Sequence, residues 1–585
     1  MSIDTEPVQR RRRVRLTPTR SIPVPFTGAR GGDGPPTMGQ RNTHRWMSMD
    51  PDQLYAILTV ELPVPTMVSV DDVAEAIAVL FARYESLRTT YVAGDPPRQR
   101  IAAAGVQMLE VCSLGQGQWG PRDRPAVTDA LTRWLRKTPD PTRPLVRVTV
   151  AVDAGERVIA CAAALSHFAV DHCSIEIIQR DFAELLGDPA RGQSGRPGHQ
   201  PLEQAELEAT PAERLRAQAA LDYLREQSWR IPRCMYTLPG ARPGGESVGV
   251  ELVSVAAAMA VRQVGARTRT SRSAIVLAAI CAVLARRANY PALVFSLLCN
   301  NRFERHLANY VGTLAADSTA TVEIGERSFD QLVGHTWTTV MEASRYGRYD
   351  AAGRAAINEL IEHERGLRFN YDPLFNSLVP ESWSGLTAGV RFQPEDIDAA
   401  LPRTELRWRQ VPRYGMPLRF VLTQVDGCLL LDVWSADTGL LPRSEVESIL
   451  LAVERLLVAA AHGDVPGNRM PEVIGLAPIP STPDRILVDH CWIDLPEVQR
   501  MVAEALAPAV AHVFAAAGDH PLVAHLTATD DVHTPAQAHA RCMAALAHHP
   551  TAITPRHYVI HHTAPANPAD PTAWPAPLAT GTGRV

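Results

Sequence analysis

The sequence predicts a mixed α/β protein with more than one lobe. At 585 residues it is too long for one ordinary hydrophobic core. Short apolar runs of strand length alternate with stretches that carry the period of amphipathic helices. A Gly/Pro/Gln-rich break over 187–210 divides two such αβ blocks.

Residues 1–36 are rich in Arg, Pro and Gly and are expected to form a disordered leader, with Arg10 to Arg13 and Arg15 as a solvated basic tail. A first lobe is expected over 37–190. In it, Ser69 caps a helix whose Val73, Ile77, Leu80, Phe81, Tyr84 and Leu87 share one face, with Asp71 and Asp72 in the first turn. Leu145 to Val152 and Val158 to Leu165 read as strands joined through the turn chemistry of Asp153-Ala-Gly-Glu. A helix follows from Ser174, with Ile175, Ile178, Phe182 and Leu185 on one face. Residues 191–210 form a crossover linker.

The second lobe is expected over 211–462. Its helices cover about 211–227, 256–265 and 271–287, and its strands lie near 248–255, 292–299, 367–371, 405–411 and 417–434. A helix from Ser444 to about Ala461 closes it. Residues 463–483 are a linker, and 484–585 form a small α+β tail with Ala/His-rich helical pattern.

Apolar residues make up 46% and charged residues 21%, and 58 basic against 63 acidic residues give a net charge of −5. That balance argues against nucleic acid as a partner. No apolar run follows the N-terminal arginines, so no signal peptide is expected. The longest apolar stretch, Ala274 to Ala285, is too short to span a bilayer and reads as a buried helix, so no membrane partner is expected. Nine scattered cysteines without a Cys-x-x-Cys pair point to reduced thiols and a cytoplasmic location, and against a zinc or disulfide scaffold. The tail histidines lack metal-ligand spacing, and Cys173 has no adjacent base, so it reads as a structural thiol.

The chemistry concentrates at Ser166-His167-Phe168-Ala169-Val170-Asp171-His172, between a buried strand and a helix. An imidazole at the mouth of a strand holds a neutral nitrogen near pH 7, which a general base needs. An aspartate four residues on, Asp171, is expected to fix the loop.

Further segments set this motif in context. They are Pro36-Thr-Met-Gly-Gln-Arg41, Ala82-Arg-Tyr-Glu-Ser-Leu-Arg-Thr-Thr-Tyr91, Asn300-Asn-Arg302, Tyr310-Val-Gly-Thr-Leu314 and Phe369-Asn-Tyr371. In this order, over roughly 36–462, the set resembles the condensation domains of nonribosomal peptide synthetases, here as a free-standing member. The resemblance implies a chloramphenicol-acetyltransferase-like fold, with two lobes in a V around a central tunnel. It implies an acyltransferase that joins an acyl or aminoacyl thioester on a carrier protein to a small-molecule amine or alcohol, giving an amide or ester. No cofactor of its own is implied, because the 4′-phosphopantetheine arm comes with the carrier. His167 matches the family's catalytic histidine. Asp171 matches the loop aspartate, and Arg302 is its implied ion-pair partner. Gly312, Thr313 and Asn370 are implied tunnel residues.

Three positions depart from the family pattern. Ser166 replaces the first histidine, His172 the glycine after the aspartate, and Gly312 an asparagine. His172 has three readings: it narrows the channel, binds substrate, or faces solvent. The departures keep open an alternative, a degenerate condensation-like module that binds a carrier or tailoring enzyme without chemistry.

In the tail, Asp484-Arg-Ile-Leu-Val, Trp492-Ile-Asp-Leu-Pro-Glu-Val498, Pro521-Leu-Val-Ala-His-Leu526, Thr554-Pro-Arg-His-Tyr-Val-Ile560 and Gly581-Thr-Gly-Arg-Val585 resemble the small domain of adenylate-forming enzymes. Arg584 stands where that family has a catalytic lysine. No Gly-rich phosphate loop precedes a helix, so no ATP chemistry is expected.

Overall fold

The computed structural model describes residues 14–48, 57–92, 94–137, 146–187, 198–233, 236, 238–369, 373–379, 392–411, 418–515 and 521–584. The chain divides into two compact units that are not simple stretches of sequence. The first comprises Met1–Gln218 with Asn300–Ala316 and Arg348–Ala351, and the second comprises the remainder.

The first unit holds a five-stranded sheet in the order β1-β6-β7-β8-β3 and a three-stranded sheet in the order β2-β5-β4. Its strands are β1 (Thr17–Thr27), β2 (Gly32–Gly34), β3 (Ile57–Leu62), β4 (Thr89–Val92), β5 (Arg98–Ile101), β6 (Ala104–Ser113), β7 (Val146–Val152) and β8 (Val158–Ser166). Its helices are α1 (Met38–Ser48), α2 (Val70–Arg83), α3 (Arg124–Lys137), α4 (His172–Gly187) and α5 (Pro201–Glu208), and α6 (Pro211–Ser228) runs across the boundary into the second unit.

The leader expected to be disordered is corrected here, because it supplies β1 and β2. β1 pairs with β6 from Thr17↔Ser113 to Thr27↔Ala104. Ile22, Val24 and Phe26 alternate onto the core, so one face of this Pro-rich stretch buries apolar surface. Pro18, Pro23 and Pro25 are tolerated because β1 is an edge strand, where missing N–H donors cost no ladder on the open side.

Helix α2 starts as the sequence indicates. Ser69 Oγ accepts from the Asp72 N–H at 3.1 Å, and the Asp72 carboxylate accepts from the Ser69 N–H at 2.9 Å. Val73, Ile77, Leu80 and Phe81 on its inner face are buried.

The second unit is built on a seven-stranded sheet in the order β11-β10-β12-β14-β15-β9-β13. Its strands are β9 (Val248–Ser254), β10 (Ala292–Cys299), β11 (Ala316–Glu323), β12 (Leu374–Ser377), β13 (Glu405–Gln410), β14 (Leu418–Gln424) and β15 (Leu429–Ser435). The helices are α7 (Val255–Thr268), α8 (Arg272–Ala288), α9 (Phe329–Arg345), α10 (Ala351–Arg365), α11 (Pro394–Ala400), α12 (Arg443–His462) and α13 (Met470–Ile474). The apolar stretch 274–285 lies in α8 and is buried throughout. No single helix among the described residues is long and apolar enough to cross a membrane. Of the strand expected near 367–371, residues 367–369 form no strand after the left-handed Gly366 (φ 67°) at the end of α10, and 370–371 lie outside the described residues; β12 pairs parallel to β10 and β14.

The C-terminal segment continues in the same unit. It forms a hairpin of β16 (Arg485–Val488) and β17 (Cys491–Asp494), then α14 (Leu495–Leu506). A four-stranded sheet follows in the order β18 (Ala511–Ala515), β19 (Leu522–Thr527), β20 (His557–His561), β21 (Ala579–Gly581), with α15 (Pro535–Ala545) packed on it. This segment is not a separate appendage: Val498, Met501, Leu526 and Tyr558 belong to the same hydrophobic cluster as Leu252, Ile280 and Leu456.

Candidate active site

The site grows from the end of β8, whose nine residues are all buried. At Ser166 the chain leaves the sheet in a tight turn. The Ser166 carbonyl accepts from the N–H of Ala169 at 2.9 Å and of Val170 at 3.2 Å, and Ser166 Oγ accepts from the Phe168 N–H at 3.3 Å. Ser166 therefore supports the backbone that presents His167, a role a hydroxyl fills locally. His167 sits on this turn half-buried, with the Trp46 ring of α1 set edge-on at 5.6 Å between centroids.

Asp171 is the N-cap of α4. Its Oδ1 accepts from the Ser174 N–H at 3.0 Å, and its carbonyl accepts from the Ile175 N–H at 3.1 Å. The same carboxylate meets the Arg302 guanidinium as a fork, Nη1 to Oδ2 at 2.8 Å and Nη2 to Oδ1 at 2.7 Å. The backbone N–H groups of Leu314 (2.9 Å) and Ala315 (3.3 Å) complete the shell of Oδ2. Both side chains are nearly inaccessible, 2% exposed for Asp171 and 6% for Arg302. Burial by itself would push the Asp171 carboxyl up, but the Arg302 charge and these N–H donors outweigh it and hold the carboxyl below the ordinary range. Burial likewise opposes the charge on Arg302, and Asp171 restores it and carries the guanidinium above its usual value.

The buried hydroxyl of Ser174 (0% exposed) ties the cluster together. It accepts from Arg302 Nη2 and from the Gly312 N–H, both at 3.0 Å, and lies 2.8 Å from Asp171 Oδ1 and 2.9 Å from the Gly312 carbonyl.

Gly312 is explained by its neighbour. A Cβ built on it would lie 2.5–2.6 Å from the ring and hydroxyl atoms of Tyr310, so the buried phenol occupies the space where a side chain would start. Tyr310 Oη has no hydrogen-bond partner among the described residues, and burial pushes its ionisation well above the ordinary value. Thr313 is also buried, its Oγ1 3.2 Å from Thr43 Oγ1 of α1. Gly39 permits that approach, since a Cβ there would meet the Thr313 carbonyl at 2.2 Å. The Ala82–Tyr91 motif serves the fold in the same way. Arg83 pairs with Asp181 at 2.8 Å, and Ser86 Oγ donates to the Val311 carbonyl.

Thus Ser166, His167, Asp171, Arg302, Gly312 and Thr313 gather in the first unit. His172 does not join them: it is the first residue of α4, its side chain is 45% exposed, and its Nε2 lies 3.6 Å from Glu176 Oε1. Asn370 falls outside the described residues. Cys173 is partly buried, and burial pushes its thiol up to about 11, so it is protonated at neutral pH. Arg584 is buried, with its guanidinium donating to the carbonyls of Pro555, Arg556 and Thr582 and to Thr554 Oγ1. No group of three or more metal-ligating side chains gathers among the described residues.

Ser174, Tyr310 and Trp46 were not singled out by sequence reasoning. The spacing Asp171-x-x-Ser174, an N-cap acid with a hydroxyl at the third helical position, is the signal that points to Ser174. Tyr310 opens the segment 310–314, but nothing in that segment points to its packing on Gly312, and nothing local marks Trp46.

No protein-family model matches the sequence, and no curated protein matches it. Solved structures do. A condensation domain that mediates chain release from the enacyloxin polyketide synthase is 19% identical, with 74% of this chain and 84% of that one covered and a TM-score of 0.56. The X-domain from teicoplanin biosynthesis is 18% identical, with 76% and 97% covered and a TM-score of 0.54. The condensation domain of the Monacolin K polyketide synthase is 14% identical, with 74% and 98% covered and a TM-score of 0.57. The described elements, mixed sheets covered by helices, and these likenesses agree: the chain has the α+β, chloramphenicol-acetyltransferase-like fold of condensation domains.

Proposed function

We propose that the protein is a condensation-type acyltransferase of nonribosomal peptide or related natural-product biosynthesis. Its donor is an acyl or aminoacyl thioester on the phosphopantetheine arm of a carrier protein, and its acceptor is an amine or a hydroxyl. The acceptor nitrogen or oxygen attacks the thioester carbonyl while His167 takes its proton, a bond to carbon forms, and the carbon–sulfur bond breaks. The proton then goes to the departing thiolate, leaving an amide or ester and a free thiol. Asp171, Arg302 and Ser174 act by holding the turn, and none of them takes part in the proton transfer.

The observation that carries this reading is the position of His167 on a turn pinned on both sides, by Ser166 before it and by the Asp171–Arg302 fork after it. The test is incubation with loaded carrier proteins and candidate amines or alcohols, followed by intact mass spectrometry of carrier and product. A second reading, a carrier- or enzyme-binding module without chemistry, is favoured by the likeness to an X-domain and by Ser166 in place of a histidine. Carrier binding without product from any acceptor selects it.

A further inference from the structure

A cavity of about 460 Å³ in the second unit belongs to none of the elements of the His167 site. It lies between the sheet edge, where β10 begins and β11 ends, and the β16–β17 hairpin of the C-terminal segment. Its wall is apolar and aromatic, from Pro232, Tyr290, Pro291, Val294 and Leu487, and Leu487 remains 50% exposed at the opening. Its charged groups are Arg230 and Glu323, with His490 beside them. Arg230 and Glu323 are both exposed at this lining.

The hairpin that supplies His490 is held in an uncommon conformation. Its two-residue loop, Asp489-His490 between Val488↔Cys491, has φ of 48° and 63°, the left-handed pair that Asn-Gly or Asp-Gly usually fills. A fully buried arginine keeps it there. Arg365 donates to Asp489 Oδ2 at 2.8 Å and to the Asp489 carbonyl at 2.7 Å, and its other nitrogen donates to the carbonyls of Ser228 and Ile231. Those two carbonyls flank Arg230, so one buried guanidinium fixes both the His490 turn and the Arg230 segment at the same opening. Left-handed φ at two non-glycine residues carries a cost that only such surrounding packing maintains.

We propose that this cavity is a second, small-molecule site that takes a zwitterion with an apolar body, for which an apolar α-amino acid is the simplest form. The carboxylate pairs with Arg230 with His490 alongside, the ammonium pairs with Glu323, and the apolar part lies on Tyr290, Pro291, Val294 and Leu487. The volume suits such a ligand, since pockets for small molecules start near about 300 Å³. The site does not depend on the His167 reaction.

The test is isothermal titration calorimetry of the whole chain with L-phenylalanine and L-leucine, with 3-phenylpropionate and 2-phenylethylamine as single-charge analogues. The expected result is binding of the amino acids at millimolar concentration or below, with each analogue weaker by about tenfold or more. Arg230→Met and Glu323→Gln are each expected to weaken L-phenylalanine by a similar factor. Both side chains are exposed, so the thermal midpoint of each variant should match the parent and separate lost binding from lost folding. Ala292→Trp, which fills the cavity, is expected to abolish the signal. No heat from either amino acid, an analogue that binds as tightly as L-phenylalanine, or unchanged binding in both charge variants overturns the proposal.

Discussion

The guanidinium of Arg302 reaches both carboxylate oxygens of Asp171, across 131 residues of sequence, at 2.8 and 2.7 Å. Both side chains are out of water, so removing one strands the other. Asp171→Ala is expected to cost about 3–5 kcal/mol in urea unfolding, far more than an exposed pair would. Replacing both by leucine should cost less than either single change, since no charge is then left buried.

The same pair makes stability depend on acid. The folded Asp171 carboxyl lies below its unfolded value of about 3.9, so the native state favours its ionised form. Its contribution is complete above that unfolded value and is lost as the pH falls through the folded one. Urea midpoints of the parent and Asp171→Ala should therefore differ most at neutral pH and converge below about pH 4. A difference that persists unchanged into strong acid contradicts the assignment.

Gly312 and Tyr310 form a second coupled pair. Gly312→Ala pushes a methyl group into the Tyr310 ring and is expected to cost about 1–3 kcal/mol, the usual range for overpacking. In the double change with Tyr310→Ala the loss should be smaller than the sum of the single losses, because the clash disappears. Additive losses in thermal or urea unfolding would show that the ring does not set the glycine.

Much of this site was legible in the sequence because it rests on local signals. The buried run of β8, the His167–Asp171 spacing and the capping box at Ser69 each act over a few residues and leave a local pattern. What was illegible depends on distant packing. β1 escaped notice because three prolines in eleven residues read as leader, and only its place at the sheet edge makes them harmless. Residue order leaves three readings of His172 open, and only the helical turn that begins there selects among them, by rotating it toward Glu176 and solvent. Tyr310 filling the place of the Gly312 side chain is invisible from residue order, since it depends on how the Arg302–Ala315 segment folds back on α4.

The C-terminal segment is expected to be required for folding. Its Met501, Val502, Leu526 and Tyr558 are buried in one cluster with the seven-stranded sheet and its helices. Arg365 on α10 also donates twice to Asp489 of the hairpin. A chain ended at residue 483 should expose that core and be recovered as aggregate or with a much lower thermal midpoint. Arg365→Ala in the full chain, which takes the donor from the Ser228 and Ile231 carbonyls and leaves Asp489 Oδ2 with Arg556 alone at 3.5 Å, should cost about 3–5 kcal/mol. A soluble truncated chain with the parent's thermal midpoint would make the segment an independent appendage.

The last prediction separates chemistry from scaffold at the turn after β8. His167→Ala should reduce condensation by roughly 10²–10⁴-fold, the usual worth of a positioned general acid–base. Its thermal midpoint should change little, because the turn is held by Ser166, Asp171 and Arg302. Ser166→Ala removes the hydroxyl that accepts from the Phe168 N–H at 3.3 Å, so its effect should be a modest loss of stability and not of proton transfer. His172→Gly puts a glycine at an exposed helical position, with a helix cost of about 1 kcal/mol or less and turnover close to the parent's. The three variants thus fail in different ways: one in kcat, one in stability, and one hardly at all. Equal loss of turnover in His167→Ala and His172→Gly would mean that His172 shares the proton transfer. If the parent binds a loaded carrier, yields no product with any acceptor, and His167→Ala binds it equally well, then His167 holds no catalytic place and the binding-module reading takes over.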